Sequence, residues 1–217
     1  EIQTFFSDKD KYKKTRHKSA SILFGPPGNG KTRIISKILE NAEKDNLICL
    51  FITSDLYTLS IVENFKKVLQ GKNVVFIFEE LTERAGDRYS AEELLSFLDG
   101  EMSWSNAYII GTTNYPERLP ENVVDRPGRF NHIIKFDNPN KSEREAFLMA
   151  KGLKDVELDE AVELSDGLSL DYLVQATVHA EIKGMSVSQY LKEFKKTRDL
   201  IKQNFKPMKL GIGLTDD

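Results

Sequence analysis

Short apolar runs of strand length recur along the first two thirds of the chain, with helical patterns between several of them. The five runs are residues 20–24, 47–53, 74–78, 107–112 and 132–136. Each run is apolar on both faces and rich in Ile, Val or Phe, as is typical of parallel strands covered on both sides. Helical spacing follows the first three runs, at residues 32–44, 59–69 and 90–100. This alternation predicts right-handed βαβ units and an α/β fold.

After Pro139 the strand pattern stops and only helical apolar spacing remains. The helical segments are residues 142–153, 158–167, 169–184 and 186–205. Ser142 and Glu145 form a capping-box pattern at the start of the first segment, and Ser186 is predicted to cap the last. We therefore predict four parts: an N-terminal linker or extension (1–18), a large α/β domain (19–137), a small helical domain (138–206) and a tail (207–217).

Composition narrows the class of protein. The chain has 217 residues, which suits one domain of ordinary size or a larger domain with a small one, and its 40% of apolar residues are enough for a packed core. A net charge of −3 argues against a strongly basic nucleic-acid binder. The basic run at residues 9–18 either meets nucleic acid or an acidic lipid surface, or is a solvated linker.

Two further features bear on location. The single cysteine, Cys49, excludes an internal disulfide framework and is expected to be a buried strand thiol. A cytoplasmic or other reducing intracellular compartment is therefore our expectation. No apolar run approaches the roughly 20 residues of a membrane span, so we expect no membrane segment in this chain. The first residue is Glu1 rather than methionine, which is compatible with a piece of a longer protein.

The stretch GPPGNGKT fits the phosphate-loop pattern G-x-x-x-x-G-K-[ST], between a predicted strand and a predicted helix. Its glycines let backbone N–H groups turn toward a phosphate, and the helix directs its positive end at the same anion. Lys31 is expected to reach the β- and γ-phosphates of ATP, and the Thr32 hydroxyl to bind Mg²⁺. A tight turn with an incidental lysine is the alternative. The predicted nucleotide-binding residues are Gly25, Pro26, Pro27, Gly28, Asn29, Gly30, Lys31, Thr32 and Arg33.

Acidic and polar residues follow the third and fourth apolar runs. Glu79 stands where P-loop ATPases usually have an aspartate that holds Mg²⁺ through water, and Glu80 is the expected general base. The alternative is an acidic pair that ends a strand in solvent. Asn114 would lie between the loop and the acids and orient water or contact the γ-phosphate, or it is a turn residue before Tyr-Pro.

The segment TTNYPERLPENVVDRPGRFNHIIKF, residues 112–136, completes a recognisable set with GPPGNGKT, FIFEE and the helices after Pro139. Over about residues 5–182 the chain resembles the AAA ATPases, within the wider AAA+ group. Its opening, residues 5–32, also looks like the subgroup that includes the mitochondrial Rieske-protein translocase. The resemblance implies a three-layer α/β/α P-loop NTPase domain with a five-stranded parallel sheet, plus a small C-terminal helical lid domain.

The resemblance also implies assembly and further site residues. AAA proteins usually form rings, most often hexamers, with ATP at each subunit interface. Arg126 and Arg129 match arginine fingers that reach into the neighbouring site; local salt bridges are the alternative. Gly167 and Ser169 match a turn near the adenine.

Two segments match the pore loops of AAA translocases. Tyr57 matches the aromatic that grips substrate, or it is an interior helix residue. Arg84 and Arg88 match a second pore loop, or they are solvated side chains.

Three functions are open from the sequence. The first is Mg²⁺-dependent ATP hydrolysis in a homo-oligomeric ring that remodels or translocates a macromolecule, with protein as the expected substrate. The second is a nucleic-acid-handling AAA+ ATPase of the loader or transposition type. The third is a nucleotide-gated scaffold with little turnover, which Glu79 in place of aspartate keeps open.

Overall fold

The computed structural model describes residues 2–7, 19–52, 68–69, 71–81, 106–119, 121 and 130–204. The chain divides into two compact units, Glu1–Asn138 and Pro139–Asp217, called the N-terminal unit and the C-terminal unit below. In the described part of the chain, no helix combines the length and the apolar character that crossing a bilayer requires.

A five-stranded parallel sheet forms the centre of the N-terminal unit. Its strands are β1 (Ser19–Phe24), β2 (Leu47–Phe51), β3 (Asn73–Phe78), β4 (Ala107–Thr113) and β5 (His132–Lys135). Their order in the sheet is β2-β3-β4-β1-β5, and every neighbouring pair is parallel. The predicted α/β class with a five-stranded parallel sheet is confirmed.

Two helices pack on one face of this sheet: α1 (Ile2–Ser7) and α2 (Lys31–Ala42). Phe5 of α1 is buried and meets the ring of Tyr108 edge-on, with ring centres 5.5 Å apart. This part of the predicted N-terminal extension therefore contributes to the core. The buried residues of this face are Phe5, Leu23, Ile35, Val75, Ile77, Tyr108 and Ile110.

The opposite face of the sheet has a cluster of its own. Its buried residues are Ala20, Ile22, Ile52, Val74, Phe76, Phe78, Leu81, Ile109, Leu119 and Phe130. All five residues of β3 from Val74 to Phe78 are buried, because they alternate between the two clusters in the middle of the sheet.

The sequence predicted that every strand is covered on both sides, and for the two edge strands, β2 and β5, this is wrong. Phe51 of β2 is 45% exposed. Ile133 and Ile134 are 54% and 40% exposed. An apolar run reports composition but not position, and an edge strand has only one neighbour to limit its exposure. At the other edge, Cys49 in β2 is half-buried, and burial raises the pKa of its thiol, which makes it a poor nucleophile.

The described part of the C-terminal unit is helical. Its helices are α3 (Lys141–Ala150), α4 (Asp155–Leu164), α5 (Leu170–Lys183) and α6 (Val187–Asn204). They enclose a second core, whose buried residues are Leu148, Leu153, Leu158, Ala161, Val162, Leu168, Leu173, Ala176, Ala180, Val187 and Leu191.

The cap of α3 differs from the prediction. Asn140, not Ser142, is the N-cap: its side chain accepts from the Glu143 N–H at 3.0 Å, and the Glu143 carboxylate accepts from the Asn140 N–H at 2.8 Å. Asparagine caps helices as well as serine does, so the helix starts earlier and Ser142 falls in its first turn. The predicted Ser186 cap of α6 is confirmed, since its hydroxyl accepts from the Gln189 N–H at 3.1 Å.

Candidate functional site

Three polar segments follow the carboxyl ends of neighbouring strands. The loop Gly25–Gly30 follows β1, Glu79 and Glu80 follow β3, and Asn114 follows β4. Because the five described strands are parallel, these carboxyl ends lie along the same edge of the sheet, where open α/β sheets bind their ligands. Strand β4 lies between β1 and β3, so Asn114 follows the strand that separates the loop from the two acids.

The loop after β1 has a backbone that requires glycine. Gly25, Gly28 and Gly30 have φ values of 138°, 80° and 92°, in the range that other residues rarely adopt. Gly25 is also wedged against the backbone that follows β5, since a Cβ there would lie 2.0 Å from the Phe136 carbonyl oxygen. Its N–H donates to the Thr113 carbonyl oxygen at 3.3 Å. The loop is therefore fixed between the ends of β4 and β5.

Replacement of Gly25 by alanine is expected to lower the free energy of unfolding by about 3 kcal/mol, from positive-φ strain and overpacking together. Gly71→Ala is the matched control. Gly71 has a φ of 79° but no atom within 4 Å of its added Cβ, so about 1 kcal/mol is expected there. Urea unfolding of both variants measures the difference. Equal losses would show that the contact with Phe136 relaxes without cost.

Lys31 lies at the first position of α2 with its side chain almost fully buried. Its ammonium donates to the carbonyl oxygens of Gly25 at 2.6 Å and Pro26 at 2.8 Å. Burial lowers the pKa of Lys31 below the ordinary lysine value, because the charged form loses solvation. The ammonium is thus bonded to the loop backbone, and a phosphate would give its charge a better partner than two carbonyl oxygens.

The start of α2 provides further groups for an anion. Gly30 precedes the helix, no side chain caps this end, and the first turn carries no acidic residue. The first backbone N–H groups of a helix lack intrahelical partners, and the helix dipole adds positive potential there. A buried ammonium beside an uncapped helix start fits a phosphate group.

The remaining loop residues have different surroundings. Pro26 and Pro27 are exposed, as are Thr32 and Arg33 in the first turn of α2. Asn29 is buried, and its amide donates to the Asn138 side-chain oxygen at 2.9 Å. This bond ties the loop to the last residue of the N-terminal unit.

The donor set at this edge of the sheet suits Mg²⁺. The Thr32 hydroxyl and the Glu79 carboxylate are hard oxygen donors, and Mg²⁺ commonly takes one or two protein ligands with water and nucleotide phosphates. The described residues contain no group of three or more His, Cys, Asp or Glu side chains that could hold a metal by themselves.

The turn after β3 has an unusual backbone at Glu80. Glu79 is half-buried, whereas Glu80 is exposed and has a φ of 56°, in the left-handed region. The Glu80 N–H donates to the Thr112 hydroxyl oxygen at 3.2 Å, and the next residue, Leu81, is buried in the core. This turn, residues 79–81, is called the acid turn below, and it is attached to β4 through Thr112.

Asn114 is half-buried in the turn that leaves β4. That turn is held locally, because the Thr113 hydroxyl oxygen accepts from the Tyr115 N–H at 3.0 Å. A turn residue and a residue beside the γ-phosphate both agree with this position.

In the C-terminal unit, Gly167 and Ser169 lie immediately before α5. Gly167 has a φ of 71°, and Ser169 is the buried N-cap residue of the helix. Sequence reasoning missed the residue that supports this turn, Arg144. Its buried guanidinium pairs with Asp166 at 3.0 Å and donates to the Val162 carbonyl oxygen. Its spacing of four residues from buried Leu148 is the signal that places it on the inner helix face.

Sequence reasoning also missed Thr112, which joins the acid turn to β4. The signal for Thr112 was the pair of threonines in GTTN at the end of β4. That its hydroxyl bonds to the Glu80 N–H follows only from the strand order, which places β4 next to β3. The predicted residues Tyr57, Arg84, Arg88, Arg126 and Arg129 lie outside the described residues, and their roles stay predictions.

Comparison with known proteins shows which family and which relatives this chain is similar to. Residues 21–138 match the family described as ATPase family associated with various cellular activities (AAA). The chain is 30% identical over 146 residues to the peroxisomal ATPase PEX6 of Dictyostelium discoideum, and 30% identical over 185 residues to protein SAV of Sulfolobus acidocaldarius. These matches cover 59% and 73% of this chain, but only 12% and 23% of the relatives' lengths.

Proposed function

This chain belongs to the AAA family of ATPases, and we propose that its N-terminal unit binds ATP with Mg²⁺ and hydrolyses the β–γ phosphoanhydride bond. One observation carries the proposal. Consecutive residues of β4 bond to the two halves of the site: the Thr112 hydroxyl accepts from Glu80, and the Thr113 carbonyl accepts from Gly25. A phosphate-binding loop and a carboxylate are thereby attached to one rigid strand.

Binding of the phosphates falls to the loop and to Lys31. The ammonium already lies under the loop, bonded to Gly25 and Pro26. On ATP binding the ammonium would donate these hydrogen bonds to phosphate oxygens instead. The buried positive charge would then have an anionic partner. The N–H groups at the start of α2 would add donors to the same anion.

Hydrolysis requires a water, a base and stabilisation of the developing charge. Glu80 would accept a proton from the water while the water oxygen attacks the γ-phosphorus. The bond from that phosphorus to the β–γ bridging oxygen would break, and the bridging oxygen would leave with ADP. Asn114 would orient that water. Mg²⁺, held by Thr32 and through water by Glu79, would neutralise charge on the phosphate oxygens when bound.

The proposal includes a homo-oligomeric ring, most simply a hexamer, in which a neighbour completes each site. It rests on the sequence RPGRF, in which Arg126 and Arg129 would stabilise charge on the transferring phosphoryl group. We retain Gly167 and Ser169 as proposed contacts of the adenine.

We expect the phosphate release rate per subunit to rise with protein concentration for the wild type and to stay low and flat for Arg126→Ala. The reason is that each site would need an arginine from another subunit. A wide concentration series with both proteins makes the measurement. If both proteins are equally active at every concentration, the arginine does not act in trans and a self-contained enzyme is favoured.

The proposed work of the ring is remodelling or translocation of a protein, with Tyr57, Arg84 and Arg88 as candidate pore residues. The net charge of −3 supports a protein substrate over a polyanion. Stimulation of hydrolysis by unfolded protein would agree with it. Stimulation by DNA or RNA with a steep salt dependence would favour the nucleic-acid-handling alternative.

A nucleotide-gated scaffold is the third candidate, favoured by Glu79 at the position where an aspartate usually holds Mg²⁺. It would show ATP binding with no steady-state phosphate release at any protein concentration.

A further inference from the structure

We propose that Thr112 is a positioning residue for catalysis: its hydroxyl holds the backbone of Glu80 and so fixes where the catalytic carboxylate lies. This inference rests on the proposed function, in which Glu80 is the general base. It concerns a residue of β4 that contacts the backbone of Glu80 rather than ATP.

The backbone of Glu80 needs an external support. A φ of 56° places a non-glycine residue in the left-handed region, at a cost of about 1–2 kcal/mol. Without compensation the turn would relax to a more common conformation. Such a change would rotate the Cα–Cβ bond and move the carboxylate.

Thr112 supplies a fixed point for that backbone. It is 4% exposed and pairs with Leu23 in the β1–β4 ladder, while β3 flanks β4 on its other side. Its hydroxyl oxygen lies 3.2 Å from the Glu80 nitrogen. A central strand that is hydrogen-bonded on both sides moves little. This hydrogen bond therefore fixes the position of the acid turn relative to the sheet.

A second contact, between Leu81 and Gly111 of β4, also holds the acid turn in place. Leu81 is 1% exposed, and its side chain lies directly over Gly111, where an added Cβ would be 2.5 Å from the Leu81 Cδ1 atom. Gly111 thus leaves the space that Leu81 needs. Adjacent residues of β4 therefore support Glu80 from its own N–H group and through its neighbour.

These contacts affect catalysis more than binding. A general base must lie within hydrogen-bond reach of the attacking water, and a misplacement of about 1 Å can reduce the rate about a hundredfold. The phosphate loop is attached through the Thr113 backbone carbonyl, which substitutions at Thr112 leave in place. The turnover number should therefore fall while ATP affinity stays nearly unchanged.

The test compares Thr112→Val, which removes only the hydroxyl function, with Thr112→Ser, which keeps it. At a protein concentration where the wild-type rate per subunit is maximal, Thr112→Val is expected to lower kcat about tenfold, with the KM for ATP within about twofold. Thr112→Ser is expected to retain wild-type kcat. Gly111→Ala, which displaces Leu81 but keeps the hydroxyl, is expected to lower kcat in the same way.

A measurement without turnover accompanies the kinetics. Amide hydrogen exchange, followed by NMR in the nucleotide-free protein, should become faster at Glu80 in Thr112→Val. The Ile52 amide, bonded to the Ile77 carbonyl oxygen at 2.9 Å, should keep its rate and serves as the internal reference.

The outcomes separate this inference from the proposed function. If the wild type hydrolyses ATP, Glu80→Gln does not, and Thr112→Val equals the wild type, the positioning role is wrong while the proposed function stands. Equal losses of kcat in Thr112→Val and Thr112→Ser, or an unchanged Glu80 exchange rate in Thr112→Val, would also overturn it. If the wild type binds ATP but never hydrolyses it, the proposed function fails and this inference fails with it.

Discussion

Substitution of Lys31 by alanine should weaken ATP binding about a hundredfold or more. Each hydrogen bond from a charged donor contributes about 1.5–3 kcal/mol, and the ammonium can form two to the phosphates, so the loss is at least ~3 kcal/mol. Titration calorimetry with ATP measures it directly. The nucleotide-free protein should change little, within about 1 kcal/mol, because the lost hydrogen bonds are offset by removal of a desolvated charge.

Lys37→Ala is the matched control for this substitution. Lys37 lies on the same helix, but its side chain is 72% exposed and forms a surface ion pair with Glu40. Such pairs contribute little to stability, and this one lies away from the helix start. ATP should raise the melting temperature of the wild type and Lys37→Ala, but not of Lys31→Ala. Nearly equal ATP affinities in all three proteins would refute the assignment of Lys31 to the phosphates.

Substitution of Glu80 by glutamine should abolish measurable hydrolysis, a decrease of about 10²–10⁴ in kcat, while ATP binding is retained. The amide has nearly the same shape but cannot accept the proton of the attacking water. The turn itself should survive, because its bond to Thr112 uses the backbone N–H of residue 80. Phosphate release and ATP affinity, measured on the same preparation, test both halves of the expectation.

Glu43→Gln provides the comparison for Glu80→Gln, since Glu43 is an exposed glutamate that follows α2. It should keep wild-type turnover and wild-type affinity. Normal turnover in Glu80→Gln would remove Glu80 as the base and leave Glu79 as the acid to test next. Loss of ATP binding in Glu80→Gln would instead indicate that the substitution damages the site as a whole.

Several features of the fold and of the candidate site could be predicted because each depends on residues close together in the chain. GPPGNGKT places glycine at the positions where the structure has φ values of 138°, 80° and 92°, and only glycine adopts these without strain. The inner strands β3, β4 and β1 were found because a buried parallel strand must be apolar along its whole length. The Ser186 cap could be predicted because the residue it bonds to, Gln189, lies only three residues away in the chain.

Local patterns predicted less well where two residues could each cap a helix, or where the burial of a side chain depends on residues distant in the chain. Asn140 and Ser142 are both good helix caps, and the structure uses Asn140. The apolar run at β5 looks like a core strand, yet Ile133 is 54% exposed because β5 lies at an edge of the sheet. Phe5 lies in a segment predicted as a linker, and its burial depends on Tyr108, about a hundred residues later.

The α/β class, the family and the glycine-rich loop after β1 could therefore be predicted from the chain alone, because each is encoded in short runs of residues. The tertiary structure decided which of these segments meet. The order β2-β3-β4-β1-β5 inserts β4 between the loop and the acids and makes Thr112 and Thr113 their common support. Strand order follows from burial and pairing over the whole unit, and the period of apolar residues within one strand carries no information about its neighbours.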